Sequence, residues 1–311
     1  IYIDDGNIID FRIAKGSGRQ LGKKGFKLLG VVFAESKQLA MASCNDHLGV
    51  MTDLSVALSQ AKVFFWPRPA LCEKVLDMHS EFRNTNMMTP AQASKYRGVT
   101  GFTAQAQCFK VGRAAMGPVK QRRYSDSAPW WLSHALERSL DFQELVITEE
   151  ARRVMRLLPD DAPCLGIASD AQADTSPTGG FIAQVNGKTV ASFCKFQSIL
   201  PTWGFTGEGP HYCIAECECS MVIVTLWTLR HLVKGRRILW LLDNTVSLHA
   251  LIKGTSTNPN VARSVEAFHI FCYHFHVEVW FEYVSSKSNY ADGISRDLEL
   301  DNFCRKHDIV P

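Results

Sequence analysis

No run of about 18 apolar residues occurs in this 311-residue chain, and no charged-then-apolar leader opens it. The first absence argues against a membrane span and the second against secretion, so an intracellular setting is expected, with cytoplasm and nucleus not distinguished. Closely paired Cys-x2-Cys knuckles are also missing. The ten cysteines are scattered, in a chain too long to need disulfide staples, and read as buried, reduced thiols. His211, Cys213, Cys217 and Cys219 crowd together in "HYCIAECEC", but their spacing is not that of a zinc knuckle. "GSGRQLGKKG" is glycine-rich and basic yet lacks the Gly-Lys-Ser/Thr end of a phosphate-binding loop, and reads as a turn with a backbone-contacting charge. His269, His274 and His276 sit in the aromatic stretch "FHIFCYHFH", where packing or a nucleic-acid face fits better than metal ligation.

What is present is an ordinary globular composition, 46% hydrophobic and 21% charged, at a length that predicts about two domains. The net charge of +3 conceals an asymmetry. Residues 1–125 carry 18 Lys+Arg against 9 Asp+Glu, and residues 126–311 carry 16 against 22, so +9 and −6 make up the whole. A basic half joined to an acidic half suits a polyanion-gripping surface beside a carboxylate-rich metal site.

The first forty residues read as strand and turn pieces. From about Leu54 the pattern becomes helical, with a Thr-Pro start at "TPAQASKYRG" and helical spacing in "APWWLSHALERSLDFQELV". "PDDAP" breaks that run and marks the domain boundary. Beyond it, "CLGIASD" predicts a buried strand ending on Asp170. "GGFIAQV" and "TVASFCKF" predict two more, joined by the tight turn "NGK". A helix from Ile214 to Val233 follows, then the strand "RRILWLLDN" ending on Asp243, the helix "NPNVARSVEAFHIFCYHF", the strand "VEVWFEYV", and a short helix start carrying Asp292. That order predicts an α/β layer with a mixed sheet.

Acidic residues at the ends of apolar strands are costly unless something binds them. Asp170 and Asp243 occupy such positions, and Glu218 lies on a mostly apolar helix. Carboxylates gathered together repel, and divalent cations relieve the repulsion. Two Mg²⁺ ions about 3.5–4 Å apart would activate a water and stabilise the leaving oxygen of a phosphodiester.

From Cys164 to Arg296 the chain resembles the ribonuclease H domain of retroelement reverse transcriptases. "SDA…GGFIA" resembles the family's first strand ending in Asp and its Gly-rich second strand. Ile214 and Glu218, then "KGRR" and "LLDN", follow in the family's order and spacing. Asn289, Ala291, Asp292, Ser295 and Arg296 match its Asn-x-x-Ala-Asp-x-x-Ser-Arg element. The resemblance implies a ribonuclease H-like mixed five-stranded sheet with flanking helices. It also implies Asp170, Glu218, Asp243 and Asp292 as ligands of two Mg²⁺ ions, with Mn²⁺ as a substitute, and Asn244 as a nucleic-acid contact. Asp174 is the alternative to Asp170, because the turn after the first strand is longer than usual. Glu216 is the alternative to Glu218. "YVSSKSNYADG" lacks the histidine of cellular relatives, which leaves proton shuttling unassigned.

"YIDD" resembles the Tyr-x-Asp-Asp turn of reverse transcriptases, and "LLGVVFAESK" and "DHLGVMTDLS" resemble the segments that follow it there. The implied organisation is a partial palm over 1–53, a mainly helical thumb and connection over 54–158, the ribonuclease H-like domain over 159–300 and a tail over 301–311. The fingers and the rest of the palm would lie upstream. Asp4 and Asp5 are then a polymerase remnant not expected to support synthesis, and Lys37 has no reaction to serve. "GRAAMGPVKQRRY" offers Arg113, Lys120, Arg122 and Arg123 as contacts to an RNA–DNA hybrid or template–primer backbone. Tyrosine-recombinase, DIRS-like retrotransposons resemble the "ADGISRD" and "LLDN" style most. The expected activity is cleavage of the RNA strand of RNA–DNA hybrids. The alternative is a catalytically inactive nucleic-acid-binding relic.

Overall fold

The structure is a computed structural model that describes residues 13, 16–30, 42–106, 110–125, 128–149, 152–158, 163–173, 176–202 and 214–296. Asp4, Asp5, Lys37, Asp174, His211 and Cys213 lie outside the described residues, as does the 301–311 tail.

In chain order the elements begin with α1 (Ser17–Leu28), β1 (Cys44–His47), β2 (Val50–Asp53), α2 (Ala57–Gln60), β3 (Lys62–Pro67), α3 (Pro69–Thr85), α4 (Pro90–Ala106), α5 (Gly117–Arg122), α6 (His134–Thr148) and β4 (Arg153–Arg156). After these come β5 (Leu165–Gln172), β6 (Thr178–Val185), β7 (Lys188–Lys195), α7 (Ile199–Thr202), α8 (Ile214–Thr228), α9 (Arg230–Val233), β8 (Arg237–Leu242), α10 (Thr245–Lys253), α11 (Pro259–Phe275), β9 (Glu278–Tyr283) and α12 (Asp292–Ser295).

Strands β1 to β4 form an antiparallel sheet in sequential order. Two expectations are corrected here. The first forty residues are expected as strand and turn pieces, but Ser17–Leu28 forms the helix α1 with its glycines inside, and a Cβ at Gly25 would meet nothing within 4 Å. Lysine, arginine, glutamine and leucine are good helix formers, and glycine is tolerated among them at a cost. The stretch from Leu54 is not purely helical either. "KVFFWP" is strand β3, paired with β4 in the register Phe65↔Arg153. A pairing between residues so far apart in sequence leaves no local signature. Helices α3 to α6 enclose a second core around Val75, Phe82, Tyr96 and Leu140.

The five-stranded sheet has the order β7-β6-β5-β8-β9. The first three strands are antiparallel neighbours, and β8 and β9 run parallel to β5. The Asn-Gly turn behaves as expected. Asn186 and Gly187 both take positive φ (51° and 77°) between the partners Val185 and Lys188, as a two-residue hairpin turn requires. Helix α8 is apolar all round and correspondingly buried, from Ala215 through Leu226 on most positions. It packs on β5, β6 and α11. Cys217 and Cys219 are core residues there, fully buried. The expected single helix to Val233 ends instead at Thr228, with α9 as a separate turn, and α10 was not anticipated.

Candidate metal centre

The site is set by strand register. Strand β5 pairs with β8 as Leu165↔Ile238 through Ala168↔Leu241. Carried two residues further, this places Asp170 level with Asp243, just past the end of β8. Asp170 does not end its strand as expected, because β5 continues to Gln172. Its side chain therefore projects from paired backbone, which fixes it more tightly than a loop would.

Glu218 reaches the same point from α8. One ligand oxygen from each of Asp170, Glu218 and Asp243 lies within 4.8 Å of the others. Asp170 and Glu218 are 6% and 2% exposed. The Ala171 N–H donates to Glu218 Oε1 at 3.3 Å, while the buried Oε2 has no hydrogen-bond partner among the described residues. The rival Glu216 turns elsewhere, accepting from Asn258 Nδ2 at 2.8 Å and Asn260 Nδ2 at 3.1 Å.

Asp292 opens α12 and lines the same open cavity, of about 530 Å³, together with Asp170, Glu218, Asp243, Asn244 and Arg296. Its Oδ1 accepts from Arg296 Nη2 at 2.6 Å. Helix α12 and the segment leading into it are moored by three contacts. Ser295 Oγ donates to Asp170 Oδ2, Thr178 Oγ1 donates to the Ser295 carbonyl at 2.6 Å, and Asn289 Nδ2 donates to the Ser169 carbonyl at 3.1 Å. The roles of Asn289, Ser295 and Arg296 were not assigned from sequence, although all three stand in the quoted Asn-x-x-Ala-Asp-x-x-Ser-Arg element.

The electrostatics follow from this crowding. Burial raises the Asp170 carboxyl to about 6, the Ser295 hydroxyl opposes that, and the charges of Asp243 and Asp292 add to it. Burial also raises Glu218 well above the usual carboxylate range, reinforced by Asp170 and Asp243. The sign for stability follows from linkage. A carboxyl whose folded pKa lies above its unfolded value of about 4 binds its proton more tightly in the folded chain, so metal-free stability falls as pH rises from about 4 to about 6. Asp170→Asn removes this term. Chemical denaturation without divalent ions is expected to show the mutant gaining on the parent by on the order of 2–3 kcal/mol across that window. A pH-independent difference would contradict the assignment.

An all-oxygen set of crowded carboxylates, one oxygen buried and unpaired, fits a hard divalent cation such as Mg²⁺ or Mn²⁺. The order β7-β6-β5-β8-β9, antiparallel then parallel, with Asp170 on β5 and Asp243 just past the end of the adjacent β8, defines the fold. It is ribonuclease H-like. No family model matches the chain, and no curated protein matches it. Among solved structures it is similar to ribonuclease H1 from the halophilic archaeon Halobacterium salinarum NRC-1, at 14% identity over 45% of this chain and 99% of that one, with a TM-score of 0.34. It is also similar to a foamy viral protease-reverse transcriptase in complex with RNA/DNA hybrid, at 12% identity over 86% of this chain, with a TM-score of 0.37. A foamy viral protease-reverse transcriptase in complex with double-stranded DNA matches at 13% identity over 89% of this chain, with a TM-score of 0.37. The chain spans 33% and 44% of those two viral chains. The fold assignment rests on strand order and register.

Asn244 caps α10, its Oδ1 accepting from the Ser247 N–H at 2.9 Å, and it borders the cavity. Arg122 donates to the carbonyls of Met88 and Trp131, which lie in the connections on either side of α4 and α5. Arg113 donates to the Lys253 carbonyl at 3.2 Å, and Arg123 to Ser94 Oγ at 3.0 Å. Lys120 is exposed on α5. His269 is buried with Nε2 against the Leu251 carbonyl at 3.0 Å, so it packs, whereas His274 is exposed and meets Phe275 edge-on. His276 ends α11 in a left-handed conformation. None of the helices described is long and apolar enough to cross a membrane.

Proposed function

We propose that this chain hydrolyses the RNA strand of RNA–DNA hybrids in a Mg²⁺-dependent, endonucleolytic reaction, as the ribonuclease H part of a retroelement reverse transcriptase of the DIRS-like type. The observation that carries the reading is the convergence of Asp170, Glu218 and Asp243, with a buried carboxylate oxygen left unpaired. Bound there, Mg²⁺ (or Mn²⁺) would supply charge compensation, an activated water and stabilisation of the departing oxygen. The chain's own residues do the rest. Asp170, Glu218 and Asp243 hold the cation, Ser295 orients Asp170, and Asn289 fixes the segment that carries Asp292. The open cavity admits a backbone phosphate, and hybrid recognition would come from 2′-hydroxyls across a wide, shallow groove.

The test is cleavage of a labelled hybrid in Mg²⁺. Asp243→Asn is expected to abolish cleavage while hybrid binding persists. Hybrid binding without cleavage by the unmutated chain would overturn the reading in favour of a nucleic-acid-binding relic.

A further inference from the structure

Asp292 lines the cavity but stands outside the trio whose ligand atoms lie within 4.8 Å of one another. Its carboxylate is instead engaged by Arg296 one helical turn on, Nη2 to Oδ1 at 2.6 Å. Arg296 itself borders the cavity and is 57% exposed along its side chain, so it is tethered at one end and solvated at the other. The backbone under this pair is anchored independently, through Thr178 to the Ser295 carbonyl and Asn289 to the Ser169 carbonyl. The backbone that carries Asp292 is thus anchored without Arg296.

We propose that Arg296 is an internal counter-ion for Asp292 that competes with a divalent cation at the outer side of the site, and so sets the concentration at which a second ion binds. This rests on the metal-centre reading above. A guanidinium on Oδ1 takes up part of the lone-pair capacity of the Asp292 carboxylate and repels a divalent cation approaching it, so the two compete for the group. The inner position, at Asp170, Glu218 and Asp243, contains the unpaired Glu218 oxygen, and Arg296 reaches it only through its field at Asp170 and not through an ion pair. Loading is therefore ordered, with the inner ion first and the outer ion only after Arg296 yields. A phosphate entering the cavity would assist by offering the guanidinium a charge-assisted partner of its own.

The experiment is a Mn²⁺ titration of the full chain without nucleic acid, followed by electron paramagnetic resonance. The parent is expected to bind one ion tightly and a second weakly. Arg296→Gln should tighten the second site roughly three- to tenfold, the range expected for removing one partly screened charge, and change the first by a smaller factor, since Arg296 touches it only through its field at Asp170. Arg296→Lys should restore weak second-site binding, since it keeps the charge. Asp292→Asn should lose the second site in either background. A second-site affinity unchanged or weakened in Arg296→Gln overturns the counter-ion role. If the parent binds no ion even at the inner position, the metal-centre reading fails with it, and that result is distinguishable because it does not depend on Arg296. Melting of the metal-free variants separates loss of fold from loss of the counter-ion. In cleavage, the Mg²⁺ concentration for half-maximal rate should fall by the same factor in Arg296→Gln.

Discussion

Glu218→Gln is expected to raise the melting temperature of the metal-free chain and to abolish its response to Mg²⁺. The parent keeps a 2% exposed carboxyl beside two others, with Oε2 unpartnered. Ionised, that group suffers both desolvation and like-charge repulsion. An amide of nearly the same shape removes the charge and retains an acceptor for the Ala171 N–H. The gain should be on the order of 1–3 kcal/mol at neutral pH, or several degrees of melting temperature. Saturating Mg²⁺ should reverse the ranking, because a ligand that binds only the folded parent stabilises it by mass action. Cleavage should drop below detection. Thermal melts with and without Mg²⁺ check all but the last. A mutant no more stable than the parent without metal would mean that the cluster is not under electrostatic strain.

Gly180→Ala is expected to impair the site through packing alone. A Cβ built at Gly180 would lie 2.6 Å from Ile294 Cγ2 and 3.0 Å from the Ile294 carbonyl carbon. The second of these is backbone and cannot rotate away, so α12 must shift. That helix carries Asp292 and the Ser295 hydroxyl that orients Asp170. A displacement of about 1 Å in a catalytic arrangement can reduce the rate roughly 100-fold, and overpacking of this kind costs about 1–3 kcal/mol of stability. Gly166→Ala, where a Cβ would meet nothing within 4 Å, is the matched control and should be near neutral in both respects. Rates and melts for the pair separate the crowding effect from the general cost of placing alanine in a strand.

These cases show what could be read from the sequence. The hairpin at Asn186 and Gly187 was legible because turn chemistry is local, and Asp243 was legible because an apolar strand leads directly into it. Strand β3 was not, because its register with β4 is set across the whole helical segment. Helix α10 was missed because it starts at Thr245, immediately after the Asp243–Asn244 pair, with no loop to announce it. Within the site, the sequence offered Glu216 and Glu218 as alternatives on one helix. Only the packing of α8 shows that Glu216 turns to Asn258 and Asn260. The pairing of Ser295 with Asp170 joins residues far apart in sequence, and no local pattern could have revealed it. The doubled glycine of "TGGF" was read as a strand signature. Its physical reason is now apparent, since both glycines make room for side chains and backbone packed against β6.

The most direct test is strand-resolved cleavage of a hybrid whose RNA and DNA ends carry different labels, incubated with the purified chain and Mg²⁺. The account predicts internal cuts in the RNA strand alone, none in the DNA strand, and none when a chelator replaces Mg²⁺. Intact RNA under conditions where the chain binds both Mg²⁺ and the hybrid would contradict it.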